Sequence, residues 1–202
     1  MSLQLFKSDV LFYQRFLKAN GFYHKKLDGD WGPGTDAADK AFEAEGKKIA
    51  DELGRFDQRT ENNILSLVPK AQVVARRFLT RARSTGKDVR IISGTRTYAE
   101  QDLLYKKGRG SNKEPKVTNA KGGQSNHNFG IAWDIGLFEN GKYIIDETKY
   151  VPIANLTLAD FPELEWGGHW KSFKDVPHYQ HKTISAKLAT VQAEFEAGTA
   201  YV

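Results

Sequence analysis

The run Ser125-Asn126-His127-Asn128-Phe129-Gly130-Ile131-Ala132-Trp133-Asp134 places an imidazole shortly before a carboxylate. If residues 130–136 form a strand, Ile131, Trp133 and Ile135 face one way, while Gly130, Ala132, Asp134 and Gly136 face the other. Asp134 then lies on a face stripped of bulk, which suits an ion and its water. His127, in the turn before the strand, can fold back toward it. A second run, from Trp166 to Tyr179, holds Asp175 and His178 three positions apart. That spacing can bring both side chains to one side of a turn and pairs a possible ligand with a possible base. Two histidines and one aspartate would leave a tetrahedral zinc with an open position for water, the catalytic arrangement rather than the structural one. The chain has no cysteine, so any metal must be held by His, Asp or Glu. Singly these residues say little: a lone His before a strand is more often a surface or hydrogen-bonded residue, and a lone Arg such as Arg96 is usually solvated or ion-paired.

The elements that would position these groups can be read from periodicity. Pro69 opens a helix, PKAQVVARRFLTRARSTG, with Val73, Val74, Phe78 and Leu79 on one side and Gly86 at its stop. KDVRIISG reads as a strand, and so do FGIAWDIGLF and, after the turn at Glu139-Asn140-Gly141, KYIID. A helix over residues 185–197 closes the chain. Trp166, Trp170 and Phe173 are read as core or cleft wall in preference to a sugar-stacking platform.

Together, the two runs resemble the M15 peptidase family, whose signature is S-x-H-x-x-G-x-A-x-D followed by D/E-x-x-H. Its fixed positions are present as Ser125, His127, Gly130, Ala132, Asp134, Asp175 and His178. SGTRTYAEQDLLYKKGR, VTNAKGGQSNHNFG and WGGHWKSFKDVPHYQ resemble the phage L-alanyl-D-glutamate endopeptidase branch in particular, over residues 57–182. The resemblance implies His127, Asp134 and His178 as ligands of Zn2+, Asp175 as general base, Arg96 as the charge beside the substrate carbonyl, and Ser125 as a substrate-holding residue. His24, His169 and His181 match nothing in the family, with His169 expected nearest the cleft. Activities kept open are removal of terminal D-alanine by a D,D-carboxypeptidase or dipeptidase, and an inactive wall-binding protein.

Upstream, residues 9–19 read as a helix with Ser8 as N-cap, Leu11, Phe12, Phe16 and Leu17 on one side, and Gly21 past its end. After the turn-rich LDGDWGPGT, Thr35 can cap a second helix, TDAADKAFEAEG, with Ala38, Ala41 and Phe42 inward. Gln14, Gly21-Phe22-Tyr23, Asp28-Gly29-Asp30-Trp31-Gly32-Pro33, Thr35 and the Ala37–Phe42 stretch resemble the peptidoglycan-binding domain 1 family. The end of the second helix departs from that family, and a helical cap packed on the enzyme is the competing reading. Residues 46–56, with two glycines and several charges, are taken as the joint between domains 1–50 and 57–202.

The 202 residues carry a net charge of +5, and the excess falls in residues 57–202. Such a field suits an anionic polymer or simple solubility. No basic stripe with interleaved aromatics points to nucleic acid, and no apolar run is long enough to span a bilayer. Charges interrupt the apolar residues of the amino terminus, so no secretory leader is visible. The expectation is an α+β protein, a small N-terminal helical bundle followed by a catalytic domain with a small antiparallel sheet and flanking helices. It would act as a monomer on bacterial peptidoglycan with Zn2+, as a phage-type endolysin held in the host cytoplasm before release to the wall or periplasm, without membrane insertion.

Overall fold

The computed structural model describes residues 6–183 and 187–202. The protein is α+β, and it divides into two compact units: Met1–Glu45 with Arg96–Phe129 and Thr183–Val202, and Gly46–Thr95 with Gly130–Lys182.

In the first unit, helix α1 spans Lys7–Ala19. It starts two residues earlier than the sequence suggests, because the Phe6 carbonyl accepts the amides of Asp9 and Val10; Ser8 therefore lies in the first turn and does not cap it. Helix α2 spans Pro33–Leu53 and begins at the proline, so Thr35 lies inside its first turn, buried. There the Thr35 hydroxyl accepts from Gln14 Nε2 at 3.1 Å in place of capping the helix. Gln14, itself fully buried, also donates to the Asp28 carboxylate at 2.9 Å and lies 3.0 Å from the Asp30 carbonyl. Its own carbonyl accepts the amides of Asp28 at 3.1 Å and Gly29 at 2.9 Å. The turn-rich loop is thus tied to one glutamine of α1. Helices α5 (Tyr98–Lys106) and α7 (Leu188–Ala197) complete the unit. The expected helix over 185–197 is present from Leu188; residues 185 and 186 lie outside the described residues, as do residues 1–5 of the stretch read for a leader. Phe195 gathers Phe12 at 5.2 Å, Phe129 at 5.4 Å and Tyr201 at 6.1 Å, ring to ring.

Helix α2 does not stop at Gly46. A β-carbon there would come within 2.9 Å of Leu65 and 3.1 Å of the Gln72 side chain, so the glycine serves a close approach and the helix continues to Leu53. In the second unit, α3 (Gln58–Leu65), α4 (Pro69–Arg83) and α6 (Val151–Asp160) accompany a sheet. Its strands are β1 (Asp88–Ser93), β2 (Ala132–Glu139), β3 (Lys142–Tyr143), β4 (Leu164–Trp166) and β5 (His178–His181). Among the described residues the order is β1-β2-β5-β4, with β3 on β2 and every pairing antiparallel. β3 is shorter than the KYIID run; beyond it the Ile144 amide still donates to the Leu137 carbonyl at 2.8 Å, and the Asp146 carboxylate accepts the Thr148 amide and hydroxyl. Val89, Ile91, Trp133, Ile135, Leu137 and Tyr179 are all buried, and α4 lays Phe78 against Trp133 at 5.9 Å and Tyr179 at 4.5 Å. The alternation that sends Trp133 into this core sends Asp134 to the other face. In the same unit, Arg76 of α4 and Glu61 of α3 form a buried two-pronged pair with both oxygen contacts at 2.8 Å. No described helix is long and apolar enough to cross a membrane.

Candidate metal centre

The register of the sheet sets the first two groups. Asp134 on β2 stands directly opposite His178 on β5, so both side chains share one face. His178 Nδ1 lies 3.2 Å from Asp134 Oδ1. His178 is nearly sealed, with 6% of its side chain exposed, while Asp134 keeps 19%. Burial works against a charged ring, but the hydrogen bond and charge of Asp134, with the Gln180 contact and the Asp175 charge, outweigh it and hold the His178 pKa above its ordinary value. Trp170 covers the ring, centroid to centroid at 4.9 Å.

The third group comes from a short 3-10 turn, Asn126–Phe129. His127 is buried in it, and one donor atom each from His127, Asp134 and His178 lies within 4.8 Å of the others. Asn128 anchors the turn: its carbonyl oxygen accepts the Gly123 amide at 3.0 Å and its NH2 donates to the Arg96 carbonyl at 2.9 Å. The Arg96 amide in turn donates to the His127 carbonyl at 3.0 Å, and the Asn128 amide to the Ser125 carbonyl at 2.9 Å. Arg96 and Ser125 are therefore backbone neighbours of the His127 turn, both half-buried. Asp175 is half-buried at the head of the turn into β5, where its carbonyl accepts the His178 amide at 3.1 Å.

Two nitrogens and one carboxylate oxygen, gathered without any thiolate, are donors that zinc accepts, and three ligands leave a position for a reactant. Asp134 is half-buried, and both imidazoles are buried. His24 and His169 are exposed, His169 against Trp166 at 4.9 Å; His181 Nδ1 donates to the Lys182 carbonyl at 2.6 Å. These three stand outside the cluster. Trp166 is buried and its indole donates to the Val176 carbonyl at 2.7 Å, so it is core; Trp170 is half-buried beside His178, and Phe173 is exposed.

Sequence reading passed over Asn128, Tyr143 and Gln180. Burial first, then Tyr150, then the charges of Asp134 and Asp175 push the Tyr143 phenol upward, so Tyr143 feels both carboxylates. Alternation from His178 along β5 is the signal that could have found Gln180.

Residues 118–181, the segment holding His127, Asp134, Asp175 and His178, match the peptidase M15 family described as D-alanyl-D-alanine carboxypeptidase. Over 107 residues the chain is 41% identical to the peptidoglycan L-alanyl-D-glutamate endopeptidase CwlK of Bacillus subtilis, covering 49% of this chain and 64% of that relative's length. The crystal structure of the Serratia marcescens L-Ala D-Glu endopeptidase ChiX is similar at 27% identity and a TM-score of 0.48, covering 65% of this chain and 92% of that one.

Proposed function

We propose that the protein is a zinc-dependent endopeptidase that hydrolyses the stem peptide of bacterial peptidoglycan between L-alanine and D-glutamate. The observation that carries this reading is the grouping of His127, Asp134 and His178 within an M15 segment. The name of the Bacillus relative supports the bond.

His127, Asp134 and His178 would hold the zinc, which would supply Lewis acidity toward water and a carbonyl. Asp175 takes a proton from the attacking water and delivers it to the leaving amine. Arg96 directs its positive charge at the carbonyl oxygen as negative charge builds there. Ser125 helps hold the substrate. Residues 1–50 bind the wall and residues 57–202 carry the catalysis. A monomer acting as a phage-type endolysin, kept in the host cytoplasm until released to the wall, completes the reading.

Removal of terminal D-alanine is the second reading, favoured by the D-alanyl-D-alanine carboxypeptidase activity for which the matching family is described. Digestion of purified sacculi, with mass spectrometry of the new termini, separates the two. New D-glutamate amino termini that vanish with a chelator and return with zinc support the endopeptidase. Free D-alanine moves the assignment to the carboxypeptidase, and intact sacculi reject both.

A further inference from the structure

A chain of side chains runs outward from the metal centre along the sheet. His178 Nδ1 faces Asp134, and its other ring nitrogen, Nε2, lies 3.0 Å from Gln180 Oε1. Gln180 follows His178 by two residues on β5, so the two share a face. The Gln180 NH2 donates to Glu165 Oε2 at 2.6 Å, and Glu165 is the residue directly opposite Gln180 on β4. On its other side Gln180 is paired with Ala132, whose methyl leaves the glutamine room.

The orientation of this amide follows from its outer partner. A carboxylate only accepts, so Glu165 draws the NH2 group and turns the oxygen toward the imidazole. An amide oxygen also only accepts, so it selects a ring that carries its proton on Nε2. The nitrogen that remains for a metal is then Nδ1, the one already facing Asp134. Reversal of the amide would present N–H to Nε2 and favour the opposite tautomer, with its proton on Nδ1.

We propose that Gln180 and Glu165 are positioning residues for the metal centre: Glu165 orients the Gln180 amide, and Gln180 fixes the tautomer and rotation of His178 so that Nδ1 is the donor offered to zinc. This rests on the zinc reading given above. Partners of ligand imidazoles elsewhere are worth about 10–100-fold in metal affinity.

The test is zinc affinity, measured by competition with a chromogenic chelator, independently of any turnover. Gln180→Leu, which keeps the volume and loses the acceptor, is expected to weaken zinc binding by about 10–100-fold. Glu165→Leu is expected to weaken it less, since the amide can still adopt the productive rotamer. The exchanged pair Gln180→Glu with Glu165→Gln keeps an acceptor facing Nε2, with the amide now at position 165 donating inward to the carboxylate, and is expected to recover most of the affinity. A packing role alone would tolerate leucine and gain nothing from the exchange. In zinc-loaded wild-type protein, which needs no variant to fold, 1H–15N NMR is expected to show a proton retained on His178 Nε2 and metal on Nδ1. Metal on Nε2, or wild-type affinity in Gln180→Leu, overturns the proposal while leaving the zinc reading standing. A wild-type protein that takes up no zinc overturns both.

Discussion

The Gly167 carbonyl accepts the Asp175 amide at 3.1 Å, and a β-carbon on Gly167 would collide with the Asp175 carbonyl oxygen and come within 3.1 Å of the His178 β-carbon. The glycine therefore seats the turn that carries the proposed base and one proposed ligand. Gly167→Ala is expected to cost about 1–3 kcal/mol of stability, the range for overpacking a filled site. It is also expected to weaken zinc binding. Urea unfolding and zinc titration of the same variant check both effects, and unchanged zinc affinity would separate Gly167 from the site.

Asp175 and the three proposed ligands are expected to respond differently to substitution. Asp175→Asn should lower kcat by about a hundred- to ten-thousand-fold, the span attributed to general acid–base groups, with one zinc still bound per chain. Asp134→Asn or His178→Ala should instead lose the metal. Metal content by atomic emission, set beside kcat on a soluble stem peptide, distinguishes the classes.

How far the site was readable depended on which force placed each residue. The grouping of His127, Asp134 and His178 was legible through the motif on which the M15 resemblance rests, and the face of Asp134 followed from strand alternation. Element ends were less legible. Gly46 reads as a helix stop, yet Leu65 and Gln72 pack where its side chain would be. Thr35 reads as a cap, yet it is buried as a partner of Gln14. Gln180 and Asn128 were missed because a glutamine or asparagine reveals its role only through what lies opposite, and those partners are set by sheet register and loop closure.

Gln14 offers a test of the amino-terminal loop. Gln14→Leu removes the acceptor for the Asp28 and Gly29 amides inside a buried pocket and is expected to destabilise the protein by about 1–3 kcal/mol, the cost of a stranded buried polar group. If this loop binds the wall, sacculus pull-down should fall while turnover of a soluble stem peptide is preserved. Parallel loss of both would place the effect on the whole fold.

The Arg76–Glu61 pair predicts an acid limb of stability. Burial alone would raise the Glu61 pKa, but Arg76 and the Phe56 amide hold it below its ordinary value of 4.5. A carboxyl depressed on folding stabilises above the unfolded-state value, and that contribution is lost as pH falls from 4.5 through the folded-state value. Glu61→Gln is expected to flatten this part of a denaturation-midpoint profile against pH. Arg76→Met, which strands the carboxylate, should cost about 3–5 kcal/mol at neutral pH.

Tyr201 is buried near the carboxyl end, and its hydroxyl donates to the Phe129 carbonyl at 2.6 Å, at the last residue of the turn that holds His127. Loss of Tyr201 would thus loosen the turn that holds His127 without touching one of the proposed ligands. Tyr201→Phe is expected to keep every proposed ligand and still hold metal less tightly, because the Phe129 carbonyl loses its hydroxyl donor.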